Sequence, residues 1–344
     1  MSAILRRGGV SSTTPDMRYA ALAPKVAWLR STLLPPAALD ALYGADFSSA
    51  VATLSKTAYG SWIQGILQAP TPEKVFDAVR TYLLSNEREI ILSAPEGAKA
   101  YLEAYVAHWE ADDIKMKILN SFRAGYSQLK ATVDSLPASW KQVRDLIEQV
   151  EKAGDTGPLS AAVDRAYAQQ LVNAFNRLTD GERTPLYAFV ETLLSWSRLK
   201  AELIAKKYSF DLSDYDFGFA DRLKFDKELE GLSPSEALSK GEIIVASILQ
   251  KWAQNQAHAN QFSPAPAQAV FYLKEKEGAQ VARALISRLY GVSPTKRPVS
   301  SCRFFRFRFS PTRRTPDASH VSHHVQRLIV SEPTTLETVT TLGL

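Results

Sequence analysis

An apolar residue followed four and five positions later by an apolar pair occurs three times along this chain, at nearly even intervals. The first occurrence is Asp113-Ile114-Lys115 with Ile118-Leu119. The second is Arg198-Leu199-Lys200 with Leu203-Ile204, and the third is Gln280-Val281-Ala282 with Leu285-Ile286. The intervals are 85 residues from Ile114 to Leu199 and 82 from Leu199 to Val281. That spacing puts the apolar side chains on the buried stripe of a helix. Its recurrence predicts one helical unit used three times, although amphipathic helices also share such spacing by chance.

The punctuation between these stretches is helical as well. Leu22, Val26, Leu29 and Leu33 fall on one face of a first helix, which Pro35-Pro36 ends. A second segment, Ala37 to Leu54, carries Leu39, Leu42, Phe47, Val51 and Leu54, and Tyr59-Gly60 closes it. Thr71-Pro72-Glu73 reads as a helix start with proline in the first turn, ahead of Val75, Phe76, Val79, Tyr82 and Leu83. Pro95-Glu96 opens a longer helix that runs through Tyr101, Tyr105 and Trp109 into the first repeated stretch. Pro137 and Gly154–Pro158 interrupt the chain, and Leu159, Val163, Tyr167, Leu171 and Phe175 then form a stripe. Asp180-Gly181 reads as a turn, and a helix from about Pro185 carries the second stretch. Residues 209–235, with Asp211, Asp214, Asp216, Gly218, Gly231 and Pro234, read as a connector. Helices over roughly 236–256 and 265–290 follow, the latter with the third stretch. Strand signals are nearly absent from 17–292, so the expectation is an all-α body of antiparallel helices joined by short turns.

Charge separates this body from its ends. The 344 residues hold 41 Lys and Arg against 36 Asp and Glu. Residues 296–344 contain eight of the basic and three of the acidic ones, which leaves 33 of each sign over 1–295. A neutral body argues against an extensive nucleic-acid footprint. Residues 1–16 read as a disordered leader, with a start at Met17 as the alternative. From Pro294 the composition shifts abruptly. Arg303-Phe304-Phe305-Arg306-Phe307-Arg308-Phe309 alternates basic and aromatic residues, and Cys302 is the chain's one cysteine. The Arg/Phe stretch suits a single strand of nucleic acid or an anionic membrane surface. The change in composition favours a non-native reading frame or a disordered end, and residues 296–344 are expected to be dispensable for partner binding. No apolar run approaches the ~18 residues of a membrane span.

Chemistry is scarce. There is no G-x-x-x-x-G-K-[ST], no G-x-G-x-x-G and no G-x-S-x-G. His320, His323 and His324 offer imidazoles without other evident ligands, so no metal and no cofactor are expected. Glu110, Asp112 and Asp113 form an acidic stretch. It reads either as a catalytic carboxylate site or, with more weight, as a solvated helix face in which Asp113 pairs with Lys117. His108 and His258 are isolated in sequence and read as structural or exposed.

The order of these motifs resembles the C-type subunit of the archaeal and bacterial A/V-type ATP synthases, a relative of the d-type subunit of the vacuolar ATPase. Leu33-Leu34 are similar to the Leu-Leu pair ending that family's first helix. Leu54, Thr57 and Tyr59-Gly60 resemble its L…T-x-Y closure. Trp109 through Leu119, with Asp113-Ile114-Lys115, resemble its N-I-K-x-I-L signature, echoed at Leu199-Lys200. Phe262-Ser263-Pro264 followed by Tyr272-Leu273-Lys274-Glu275-Lys276-Glu277 resemble its F-S-P…Y-L-x-x-K-E-x-E close. Asp113, Arg198 and Gln280 stand where the family favours Asn, and the tail beyond Val292 has no counterpart.

The resemblance covers about 17–292 and implies three related units, about 17–135, 136–208 and 209–292, arranged as a funnel. The irregular tail, 293–344, lies outside it. It further implies a non-catalytic adaptor on the cytoplasmic face of an archaeal or bacterial membrane. Such an adaptor joins the D and F subunits of the central stalk to the proteolipid c/K ring, near the membrane stator, and touches the membrane only through the ring. The alternative is a general α-helical scaffold.

Overall fold

The structure is a computed structural model, and it describes residues 17–138, 140, 143–144, 156–208, 226–259 and 262–291, with the side chains of 204–208 and 226–227 excluded. The expected leader 1–16, the connector over 209–225, the side chain of Ile204 and the tail from 292 lie outside the described residues. Among the described residues every regular element is a helix. In chain order they are α1 (Leu22–Ser31), α2 (Pro36–Gly44), α3 (Phe47–Leu54), α4 (Gly60–Ile63), α5 (Pro72–Ile91), α6 (Glu96–Val106), α7 (His108–Ala124) and α8 (Tyr126–Asp134). There follow α9 (Gly157–Phe175), α10 (Asp180–Arg183), α11 (Tyr187–Tyr208), α12 (Asp226–Leu229), α13 (Pro234–Gln256) and α14 (Ala265–Leu289).

The start signals act as the sequence suggests. Thr71 Oγ1 accepts from the Lys74 amide at 3.3 Å while Pro72 opens α5. Ser233 and Glu236 close a capping box ahead of α13. The structure departs from the expected elements in four places. The segment 37–54 is two helices, because Asp46 accepts from the Ser49 amide at 2.9 Å and restarts the chain as α3. Leu33 lies beyond the end of α1 and is half-buried, while Leu22, Val26 and Leu29 are buried. Asp180-Gly181 begins a one-turn helix held by a Thr179–Glu182 capping box. The long helix expected from Pro95 breaks at Ala107. There the Tyr105 carbonyl accepts the Tyr167 hydroxyl at 3.2 Å and lies 2.9 Å from His108 Nδ1. Side chains thus satisfy a carbonyl at the break.

Packing forms a closed circuit. α5 rests on α14, α14 on α13, α13 on α11, α11 on α9, α9 on α6 and α7, and α6 returns to α5. Gly241 lets α13 approach α11 closely: a Cβ there would come within 2.5 Å of the Trp196 ring. α14 also touches α1, α2 and α3. Its 25 residues span about 37 Å, and it is buried on nearly all sides.

Two apolar cores result. The larger draws on α1, α6–α9, α11, α13, the C-terminal turn of α5 (Ile90, Ile91) and the N-terminal half of α14 (Ala265–Tyr272). The smaller unites α2–α4, the N-terminal part of α5 (Val75–Leu83), Trp109 and the C-terminal part of α14 (Val281–Ile286). The cores follow in opposite order along α5 and α14, so these helices run antiparallel. Each fully buried Leu- or Phe-sized side chain contributes ~1.5–3 kcal/mol. The described side chains of the repeated skeleton are apolar and packed inward but serve different cores. Ile114 and Ile118 join the larger core, Leu199 and Leu203 pack against it, and Val281, Leu285 and Ile286 lie in the smaller.

Candidate functional site

Between the two cores lies a layer of buried polar side chains. On α5 it interrupts the apolar stripe at Asn86 and Glu87, and on α14 it comprises Lys274, Glu275, Lys276 and Glu277, all buried. Bare charges at such depth are costly unless paired or neutralised. The layer solves this differently at its two ends.

At one end stands an ion pair. Lys274 Nζ lies 2.7 Å from Glu277 Oε1 and donates to the Thr32 carbonyl, also at 2.7 Å. The Tyr59 hydroxyl donates to Glu277 Oε1 at 2.9 Å, and the Leu34 amide donates to Oε2. The Lys274 ammonium also sits 5.3 Å from the Tyr59 ring centre and 5.5 Å from that of Tyr82. Burial pulls the Lys274 pKa below its usual value, against the opposing pull of Glu277. Burial, then the Glu277 charge, pushes the Tyr59 phenol well up. Gly60, beside Tyr59, is obligatory by contact: a Cβ would come within 2.4 Å of the Ser55 carbonyl oxygen.

At the other end two carboxyls meet. Glu87 of α5 and Glu275 of α14, both buried, lie close enough to act on each other's charge. Glu87 Oε2 also accepts the Trp109 indole N–H at 3.0 Å, and Glu275 accepts the Tyr105 hydroxyl at 3.2 Å. His108 Nε2 lies 3.6 Å from Glu275. A carbonyl only accepts, so His108 Nδ1, facing the Tyr105 carbonyl, carries the hydrogen there. Burial pushes Glu87 up to about 8. Burial, then the Glu87 charge, pushes Glu275 well above the usual carboxyl range.

A third cluster lies further along α7. Lys115 reaches Asp164 of α9 at 2.5 Å, and Lys200 of α11 reaches the other oxygen of Asp164 at 3.2 Å. The lysines of the first two repeated stretches therefore share one carboxylate. Asp112 is buried and 3.8 Å from Lys115.

The expected site residues thus fall into groups. Leu34, Tyr59 and Glu277, distant in sequence, join one knot, with Gly60 alongside and half-buried Leu33 at the same crossing. Lys115 and Lys200 join another, flanked by buried Ile114 and half-buried Leu199. Trp109 supports Glu87. Tyr272 sends its hydroxyl to the Ala246 carbonyl at 3.1 Å, tying α14 to α13. Pro264 is buried before α14, and Phe262 is exposed.

Asp113 does not pair with Lys117 as expected. It takes a two-pronged contact from Arg80 at 2.5 and 2.6 Å because α7 turns this face toward α5. Nor is the acidic stretch a uniformly solvated face: Glu110 is exposed, Asp113 is intermediate and Asp112 is buried. His108 is buried and structural, held at Tyr105 and Glu275, and His258 is exposed, as expected. His320, His323, His324, Cys302 and the Arg/Phe stretch lie outside the described residues.

Sequence reasoning missed Arg80, Glu87, Asp164 and Glu275 as partners. One signal existed. The stripe Val75, Val79, Tyr82, Leu83 leads on to 86 and 87, and a carboxylate at that register points into the core.

Two surface depressions are shallow. One is lined by residues including Leu22, Arg30 and Pro266, the other by residues including Trp62, Lys74 and Asp77. Among the described residues, no group of three or more His, Cys, Asp or Glu is placed to hold a metal ion, and no helix is long and apolar enough to cross a membrane. No protein-family model matches this chain, and no curated protein matches it.

Proposed function

We propose that this chain is a non-catalytic central-stalk adaptor of a rotary A/V-type ATP synthase or ATPase. In this reading it joins the D and F subunits of the stalk to the proteolipid ring, beside the membrane stator. It carries torque between ion flow and ATP chemistry on the cytoplasmic face of an archaeal or bacterial membrane. The observation that carries the reading is the meeting of Leu34, Tyr59 and Glu277 around Lys274. Three motifs singled out for their family resemblance, spread over some 240 residues, form one buried knot. The shared use of Asp164 by Lys115 and Lys200 adds to it, since these lysines occupy matching places in two of the three expected units.

The physics of the role is compatible with this packing. Torque transmission needs a stiff body, and stiffness follows from close-packed helices tied by internal polar contacts. The closed helix circuit also weighs against an open repeat scaffold, where each unit touches only its neighbours in sequence. The three-unit funnel remains part of the proposal. The test is affinity capture of the full chain from mildly solubilised native membranes, with bound proteins identified by mass spectrometry. The expected result is co-recovery of the proteolipid ring with the D and F subunits. Recovery of neither, where the intact rotary complex is otherwise detectable, overturns the reading.

A further inference from the structure

The Glu87–Glu275 pair has more negative capacity than positive partners, and it sits where α5 and α14 cross from one core to the other. Its surroundings can be named from each element. α5 gives Glu87, with Arg88 on its exposed side, and α6 gives the Tyr105 hydroxyl. α7 gives the Trp109 indole, His108, and Asp112 with its partner Lys115. α9 gives Tyr167, spent on the Tyr105 carbonyl, and Asp164, spent on Lys115 and Lys200. α14 gives Glu275, with Lys274 and Glu277 engaged on each other and Lys276 lying 5.7 Å from the Tyr272 ring centre. Among the described residues, no hydrogen-bond donor reaches buried Glu87 Oε1. A hydrogen bond between two carboxyls requires a proton on one of them. Only His108 in this set can add positive charge directly at Glu275, and only by taking up a proton itself.

We propose that the Glu87–Glu275 pair is a proton-operated latch between α5 and α14. It holds the seam between the two cores closed while it keeps its shared proton, and it loosens that seam when the proton leaves. With the proton present, the two carboxyls bridge the helices. Without it, two carboxylates face each other in a buried site and repel, so the cheapest relief is to draw α5 away from α14 and admit water. This goes beyond the adaptor reading and does not depend on it: it concerns how proton concentration sets the cohesion of the body, whatever that body binds.

The test compares the full chain with Glu87→Gln, whose amide can accept from Trp109 and donate to Glu275 without titrating. Urea unfolding is followed from pH 5 to 9. In the wild type the folding equilibrium constant should fall up to tenfold per pH unit between about pH 6 and 8, the signature of one proton, and Glu87→Gln should make that slope shallower. Parallel curves for the two proteins overturn the latch. Should Glu87→Gln not fold, Glu275→Gln serves in the same way. Should neither fold, amide exchange in the wild type decides. Protection over residues 86–91, corrected for chemical exchange, must drop with rising pH, and pH-independent protection there rejects the proposal.

Discussion

The two ends of the polar layer share one turn of α14, Lys274 to Glu277, are equally buried, and differ in charge balance. At Lys274–Glu277 each charge has its opposite, and a phenol, an amide and a carbonyl fill the remaining valences. At Glu87–Glu275 two acids face each other with neutral donors around them. The first arrangement is insensitive to modest changes in solution but intolerant of losing a member. The second tolerates a neutral replacement but responds to pH. Depth alone therefore does not determine what a buried charge does; the sign of its neighbours does.

The largest test of this contrast removes the cation. Lys274→Met leaves the Glu277 carboxylate buried without its counter-charge and should cost about 3–5 kcal/mol in urea unfolding at pH 7. Glu275→Gln at the same pH should cost about 1 kcal/mol or less, since it replaces an acid that already holds hydrogen-bonded neutrality. The contrast collapses if the two variants are equally damaged.

Raising pH from 6 to 8 should take up to about 2.7 kcal/mol from the wild type through the acid pair. The sign follows from a folded pKa raised to about 8 by burial. The folded state binds more protons than the unfolded one between about 4.5 and 8, so stability is full below that window and lost as pH climbs through it. Lys274 has the opposite slope: its folded pKa is lowered, so its contribution grows with pH in the window just below the ordinary lysine value.

Asp164→Asn removes the carboxylate shared by Lys115 and Lys200 and should cost about 2 kcal/mol, less than Lys274→Met because this cluster is partly exposed. Tyr59→Phe deletes one donor to Glu277 and should cost about 1.5 kcal/mol, with no change in the pH slope. A changed slope in that variant would mean that the two ends of the layer act as one network.

Much of the helix pattern was legible because it is local. The stripe from Leu159 to Phe175, the proline at the start of α5 and the extent of α14 follow from neighbours a turn away. The motif residues were legible by resemblance, but their meeting was not. Tyr59 and Glu277 are 218 residues apart, and the Tyr19 hydroxyl reaches Glu182 at 2.5 Å across 163 residues. Four consecutive charges, Lys274 to Glu277, carry no local sign of burial. They are buried because helices from both halves of the chain surround α14, a fact no window of its own sequence contains. The break at Ala107 was hidden for the same reason, since its partner Tyr167 comes from α9.

The smaller core has a consequence for synthesis. Helices α2–α5 are made early, yet the apolar partners that complete their core, Val281 to Ile286, arrive roughly 200 residues later. At ~5–20 residues per second that is a wait of about 10–40 s. During that interval Val75, Val79 and Leu83 have no lasting partner from α14, and a nascent chain stalled before α14 presents an unfinished surface to whatever chaperone stands at the ribosome exit.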